Sequence, residues 1–323
     1  MAKLSMRDIE HAAGCIAPYV HRTPVVHSTT LDQLASSKLH FKCENLQKTG
    51  SFKARGAINA VARLVAEKKA DNGVITHSSG NHGAALAYAA QQFNVQCTVV
   101  APRDAARSKL DAISAYGAQL IHCEPTLASR QATCASVIER TGATLVHAHD
   151  NYDVMAGQGT MAMELLEQCA VPLDAVLVPT GGGGMASGIA TCVRAMQPNC
   201  KVFCVEPEGK RIAESFAAGR RLWPEPPDTL ATVADGMRVG NLGARCFDTL
   251  LQDAQRHVLT VNDDEIIAAM RLIWQRLKLV VETSSGTGLA AALQPRCRSL
   301  IHGDNVAIIL CGGNVDIDNL PFS

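Results

Sequence analysis

Three observations on the 323-residue sequence predict an α/β protein whose parallel sheets are covered by helices. Short β-rich runs alternate with helix-length patterns over most of the chain, the order expected of repeated strand, helix, strand units. Apolar runs such as VLV at 176–178 and AIIL at 307–310 lack polar alternation, as strands buried on both faces do. Hydrophobic residues make up 47% of the chain and charged residues 19%, enough core material for two domains and incompatible with disorder.

In chain order, a strand at 73–77 leads to a helix at 83–93, a strand at 97–100 to a helix at 108–116, and a strand at 119–123 to a helix at 129–140. The polar stretch HAHDNYD then interrupts the pattern. The alternation resumes with a strand at 175–179, a helix at 185–196 and a strand at 201–206. The interruption predicts a small domain over 73–150, with 1–72 and 151–323 forming a larger one. WPEPPD at 223–228 reads as a surface loop.

Thirty basic residues balance thirty acidic ones without a Lys/Arg cluster, and aromatics are only 4%, so neither a nucleic-acid interface nor a base-stacking platform is expected. Partners should be small and dissolved. No window has the roughly 18 apolar residues of a membrane helix, and the start MAKLSMRDIEH is too polar for a secretory signal, so a cytoplasmic protein is expected. The twelve cysteines are dilute, several lie in apolar runs, and neither CxxC nor HExxH occurs; they read as small core residues, with no metal site of recognisable spacing.

Four segments carry chemistry. TGSFKARG at 49–56 opens a helix with apolar Ile58, Val61, Ala62 and Val65 at helical spacing, which puts Lys53 in its first turn. An amine beside the positive end of a helix dipole is biased toward its neutral, nucleophilic form. HSSGNHG at 77–83 joins a strand to an alanine-rich helix, where backbone N–H groups and Ser78, Ser79, Asn81 and His82 can meet a carboxylate; a helix capped by Ser or Asn is the ordinary alternative. PTGGGGMASG at 179–188 places four glycines before a helix, an arrangement suited to a phosphate. It also satisfies GxGxxA through Gly181, Gly183 and Ala186, with Glu206 at the end of a later strand, so a nicotinamide-dependent dehydrogenase is a rival reading. LCGGNVD at 310–316 sets Cys311 at the carboxyl edge of a strand, where ligands gather in such sheets.

Together with AGQGT at 156–160, these segments resemble, in order, the pyridoxal-phosphate enzymes of fold type II, and most of all the branch of serine racemases and serine/threonine dehydratases. The resemblance runs from HRTPV at 21–25 to GGNVD at 312–316. It implies two α/β domains with the cofactor between them, Lys53 carrying pyridoxal 5'-phosphate as a Schiff base, and Gly181, Gly182, Gly183, Gly184 and Met185 cradling the phosphate. Phe52 would pack beside the ring, Asn81 would bond its phenolic oxygen, and Cys311 would face its pyridine nitrogen. A thiol counters a pyridinium charge poorly, which suits short-lived carbanions. Ser79 resembles the serine that serves the second face of the α-carbon in racemases, where many dehydratases carry Ala.

The resemblance therefore implies a racemase of L- and D-serine with accompanying elimination of water to pyruvate and ammonia. A dehydratase without racemisation is the nearest alternative. Non-catalytic ligand binding on the same fold is a further one, and a homodimer is implied. The substrate carboxylate would bind the loop from Ser78 to His82. Two departures and one partial match matter. After Glu206 and Pro207 one residue is missing and Lys210 or Arg211 falls where racemases keep a second acid, so a fixed cation would replace or weaken an Mg²⁺ or Ca²⁺ site at Glu206. For ATP as an activator, Lys48, Thr49 and Tyr116 are the matching positions. Ala148, His149 and Asp150 alter a loop beside the substrate, leaving serine against aspartate or 3-hydroxyaspartate open, with Arg130 available to a second carboxylate.

Overall fold

A computed structural model describes residues 3–78, 80–105, 107–222, 229–253 and 257–322. Two positions read above, Ser79 and the 223–228 loop, lie outside the described residues.

The strands form two sheets. Six of them, β1 (Val25–Val26), β2 (Lys38–Cys43), β7 (Ala175–Pro179), β8 (Lys201–Pro207), β9 (Val258–Val261) and β10 (Asn305–Leu310), are ordered β1-β2-β10-β7-β8-β9. Only β1 runs antiparallel. The other four, β3 (Val74–Thr76), β4 (Cys97–Pro102), β5 (Gln119–Cys123) and β6 (Thr144–Leu145), make a parallel sheet ordered β5-β4-β3-β6. In β7 every residue is buried, as a strand covered on both faces requires.

Helices α1 (Met6–Ile16), α2 (Thr29–Ala35), α3 (Lys53–Ala66), α4 (Asn81–Gln92), α5 (Arg107–Ala115), α6 (Leu127–Thr141) and α7 (Tyr152–Gln168) occupy the first half. The second half adds α8 (Gly184–Met196), α9 (Ile212–Ala218), α10 (Ala244–Asp253), α11 (Asp263–Leu277), α12 (Thr283–Leu293) and α13 (Pro295–Arg298). One apolar cluster joins α1, α7, α8 and α10 to the large sheet, and a second packs α2, α11 and α12 on its other face. A third joins α3 and α4 to the small sheet.

Helix α3 departs from a simple amphipathic reading. Its residues from Ala54 to Val61 are all buried, whereas Val65 is exposed. The first two turns are enclosed by α1, α4 and α7, and only the last turn reaches the surface. The enclosed Arg55 forms a buried ion cluster with Glu44 and Glu164, which Lys42 joins. All twelve cysteines are free and ten are buried, in line with their reading as core residues.

Candidate active site

The turn before α3 is zipped onto the end of β10. Ser51 bridges to Gly312, Phe52 N donates to Cys311 O at 3.0 Å, and Gly313 N donates to Gly50 O at 2.9 Å. These bonds set Lys53, the first residue of α3, near Cys311. Lys53 Nζ lies 5.0 Å from the centre of the Phe52 ring and donates to Ala148 O at 2.7 Å. Burial lowers its pKa to about 8, against the opposing pull of Cys246, Cys311 and Glu282. Cys311 is held as a neutral thiol, since burial and then Glu282 push its pKa well up. Its sulfur lies 3.4 Å from Ser285 Oγ and 3.8 Å from Glu282 Oε1.

The glycine loop at 181–184 runs from β7 into α8. Gly183 takes φ +92° as the N-cap, and a Cβ on Gly181 would stand 2.8 Å from Gly236 O. Among the described residues no side chain caps α4 or α8, whereas in α3, which also begins at this cleft, Gly56 N donates to Gln158 Oε1 at 3.2 Å and Arg55 N to Phe52 O at 3.1 Å. Elsewhere, α2, α6, α7 and α11 are capped by Ser28, Thr126, Asn151 and Asn262. The open N–H groups at the cleft are suited to anions.

AGQGT sets the spacing of these parts. A Cβ on Gly157 would meet Gly56 Cα at 2.6 Å, and one on Gly159 would meet Gly188 O at 2.9 Å. Thus α3, which starts with Lys53, and α8, which follows the glycine loop, both pack backbone to backbone on α7. The glycine cradle, the amine and the neutral thiol fit pyridoxal phosphate.

At the loop before α4 the picture differs from the sequence expectation. Gly80, rather than Ser or Asn, is the N-cap. Asn81 Nδ2 donates to both Glu282 oxygens at 3.1 and 3.0 Å, and its Oδ1 accepts from Asn314 Nδ2 at 2.8 Å, so its amide is held by Glu282 and Asn314. His82 turns away from the loop: its ring is buried, Nε2 is 3.0 Å from Val146 O, and burial followed by the Lys53 charge lowers its pKa to about 3. The ring ties α4 to the residue after β6 and is not turned toward a ligand in the loop. His149 packs against the glycine loop, where a Cβ on Gly182 would stand 2.3 Å from its ring, and burial lowers its pKa well below the usual value. Its neighbour His147 accepts at Nδ1 from His149 N and Asp150 N, and burial, then His77, lower its pKa to about 4. Asp150 caps α10 by accepting from Arg245 N at 2.8 Å. Arg130 is half-buried, and its Nε is buried without a hydrogen-bond partner among the described residues.

Sequence reasoning missed Glu282, Ser285 and Asn314. The segment ETSSG ahead of an alanine-rich helix was the available signal for the first two.

Glu206 does not offer a metal or a ribose a free carboxylate. It is buried at the end of β8, with Oε2 accepting from Ile212 N at 2.8 Å and Oε1 facing Thr260 Oγ1 at 3.4 Å. Lys210 is buried nearby, while Arg211 points outward to Glu214. No group of three His, Cys, Asp or Glu able to hold a metal ion occurs among the described residues. The residues present therefore do not fit Mg²⁺ or Ca²⁺. Of the positions matched to ATP, Lys48 and Thr49 lie in the turn before α3, with Thr49 O accepting from Asn314. Tyr116 follows α5 and packs edge-on against Tyr88. No described helix is long and apolar enough to cross a membrane.

The model of the family described as "Pyridoxal-phosphate dependent enzyme" matches residues 16–312. The chain is 42% identical to the serine racemase of Dictyostelium discoideum, covering 99% of this chain and 98% of that protein. It is also 42% identical to the beta-hydroxyaspartate dehydratase of Paracoccus denitrificans, covering 98% of each. The crystal structure of a pyridoxal 5'-phosphate-dependent aspartate racemase superposes with a TM-score of 0.96 at 44% identity, covering 100% of this chain and 99% of that one.

Proposed function

The chain belongs to the family of pyridoxal-phosphate-dependent enzymes, and on that premise we propose that it is an amino-acid racemase acting on L- and D-serine. Elimination of water, giving pyruvate and ammonia, accompanies the racemisation. Pyridoxal phosphate, when bound, supplies the electron sink that acidifies the α-proton. Lys53 holds it and moves the proton on one face of the α-carbon. Ser79 serves the other face, so that a proton removed from one side is returned on the opposite side. Gly181, Gly182, Gly183, Gly184 and Met185 hold the phosphate, Phe52 flanks the ring, and the N-terminus of α4 with Ser78 takes the substrate carboxylate.

The observation that carries this reading is Lys53 itself. Its amine has a lowered proton affinity, makes its hydrogen bond to a main-chain carbonyl rather than an acid, and stands in one cleft with the neutral Cys311 thiol. Ser79→Ala tests the reading: formation of D-serine, followed by chiral chromatography, should fall by about 100-fold or more. Pyruvate release from L-serine should persist. Equal loss of both activities removes Ser79 from its role.

A second reading, with aspartate or 3-hydroxyaspartate as substrate, rests on the buried Nε of Arg130, which has no hydrogen-bond partner among the described residues while its charge reaches His77 in the loop before α4. Arg130→Ala should then lower kcat/KM for the dicarboxylic amino acids and leave serine unchanged; an equal fall for both rejects this assignment. The reading includes closure of a small domain at 73–150 over the substrate. It also includes a cytoplasmic homodimer, to which twelve free cysteines are suited in a reducing compartment. Sedimentation equilibrium checks the dimer.

A further inference from the structure

Lys210 sits in a turn that aims it inward. Gly209 and Arg211 on either side take φ +86° and +62°, a left-handed backbone that a non-glycine residue such as Arg211 adopts at a cost. The outcome is a division of labour between adjacent cations. Arg211 pairs with Glu214 at the surface, while Lys210 is 1% exposed. Its Nζ donates to Met237 O at 3.1 Å and to Val239 O, and the buried Glu206 carboxylate lies close enough for each group to shift the other's protonation.

An anionic carboxylate with two main-chain carbonyls is the oxygen set that a hard cation takes. Here an ammonium of the chain itself is bonded to the two carbonyls and acts on the carboxylate through its charge. We propose that Lys210 is a built-in cation in place of a divalent metal ion, joining Glu206 and the start of α9 to the segment 235–239, so that the enzyme neither requires nor responds to Mg²⁺ or Ca²⁺.

The tethered segment reaches the active site in three ways. Gly236 O is the atom that a Cβ on Gly181 would strike, so the segment backs the glycine cradle. Gly236 N donates to Ser284 Oγ at 3.1 Å, at the start of α12. Asp235 pairs with Lys109 of α5, a helix packed with the small sheet, and so links the two sheets across the cleft. Lys210 is thus a positioning residue for the cofactor cradle; it touches neither cofactor nor substrate.

The test starts with the wild-type holoenzyme. Its melting temperature, cofactor absorbance and both reaction rates should be unchanged between EDTA and 5 mM CaCl₂ or MgCl₂, and equilibrium dialysis with radioactive calcium should find no bound ion. A twofold activation, a rise in melting temperature on adding either ion, or stoichiometric calcium overturns the proposal, whatever the variants do. Lys210→Met should weaken pyridoxal phosphate at least tenfold and show no response to cations; wild-type affinity in this variant would overturn the positioning role. Lys210→Asp restores an acidic pair with Glu206. Its melting temperature should rise with CaCl₂, and a failure to rise would show that the ammonium does not stand at a cation position.

Discussion

The lowered pKa of Lys53 makes capture of pyridoxal phosphate by the apoenzyme sensitive to pH in a calculable way. Only the neutral amine attacks the cofactor aldehyde. With a pKa of about 8, about 24% of the amine is neutral at pH 7.5, against about 0.1% for an ordinary lysine, a ratio on the order of 200. The cause is burial, offset in part by Cys246, Cys311 and Glu282, and partial solvent contact of the side chain limits how far the shift can go. Stopped-flow capture at visible wavelengths between pH 6.5 and 10, normalised to a small amine of known pKa, should rise with pH and level off above about 8 to 9. Glu282→Gln should move the inflection downward, because the Glu282 charge favours protonated Lys53. The same shift has a stability consequence. The unfolded chain binds a proton at Lys53 that the folded apoenzyme releases between about pH 8 and 10.4, so this residue makes the apoenzyme more stable as pH rises through that window. A capture rate that climbs tenfold per pH unit to pH 10 without inflection would refute burial as the controlling factor.

Three further outcomes follow from packing. Gly181→Ala sets a Cβ 2.8 Å from the backbone oxygen of Gly236, which has no flexible side chain to give way, so affinity for pyridoxal phosphate should fall at least tenfold in a fluorescence titration. Gly14→Ala, in α1 with nothing within 4 Å, is the control and should stabilise the chain by about 0.5–1 kcal/mol. Arg55→Met leaves the fully buried Glu44 without its 2.7 Å partner, and urea unfolding of the apoenzyme should show a loss of about 3–5 kcal/mol. A loss under about 1 kcal/mol would mean that Glu44 becomes protonated or hydrated at little cost.

Much of this site was legible in the sequence because its parts are local. Lys53 in the first turn of a helix and four glycines between a strand and a helix are statements about neighbours in the chain, and α3 and α8 begin at Lys53 and Gly184 as those statements require. The alternation of β runs and helix patterns likewise fixed the class, since burial on both faces of a strand and on one stripe of a helix leaves its period in the residues themselves.

What the sequence alone could not decide was which of these parts face one another. Zipping of residues 50–52 onto 311–313 sets Lys53 beside Cys311 from opposite ends of the chain. That pairing comes from strand order. Periodicity describes burial about an element's own axis, so it could not show that α7 encloses the first turns of α3, nor that Val65, unlike Ile58 and Val61, would be exposed. Nor could residue type separate Lys210 from Arg211, or His82 from the polar side chains beside it. Backbone dihedrals turned one cation inward and its neighbour outward, and a carbonyl at Val146 claimed the histidine. Polar side chains take whichever partner the completed fold brings within reach, and that choice belongs to the tertiary structure.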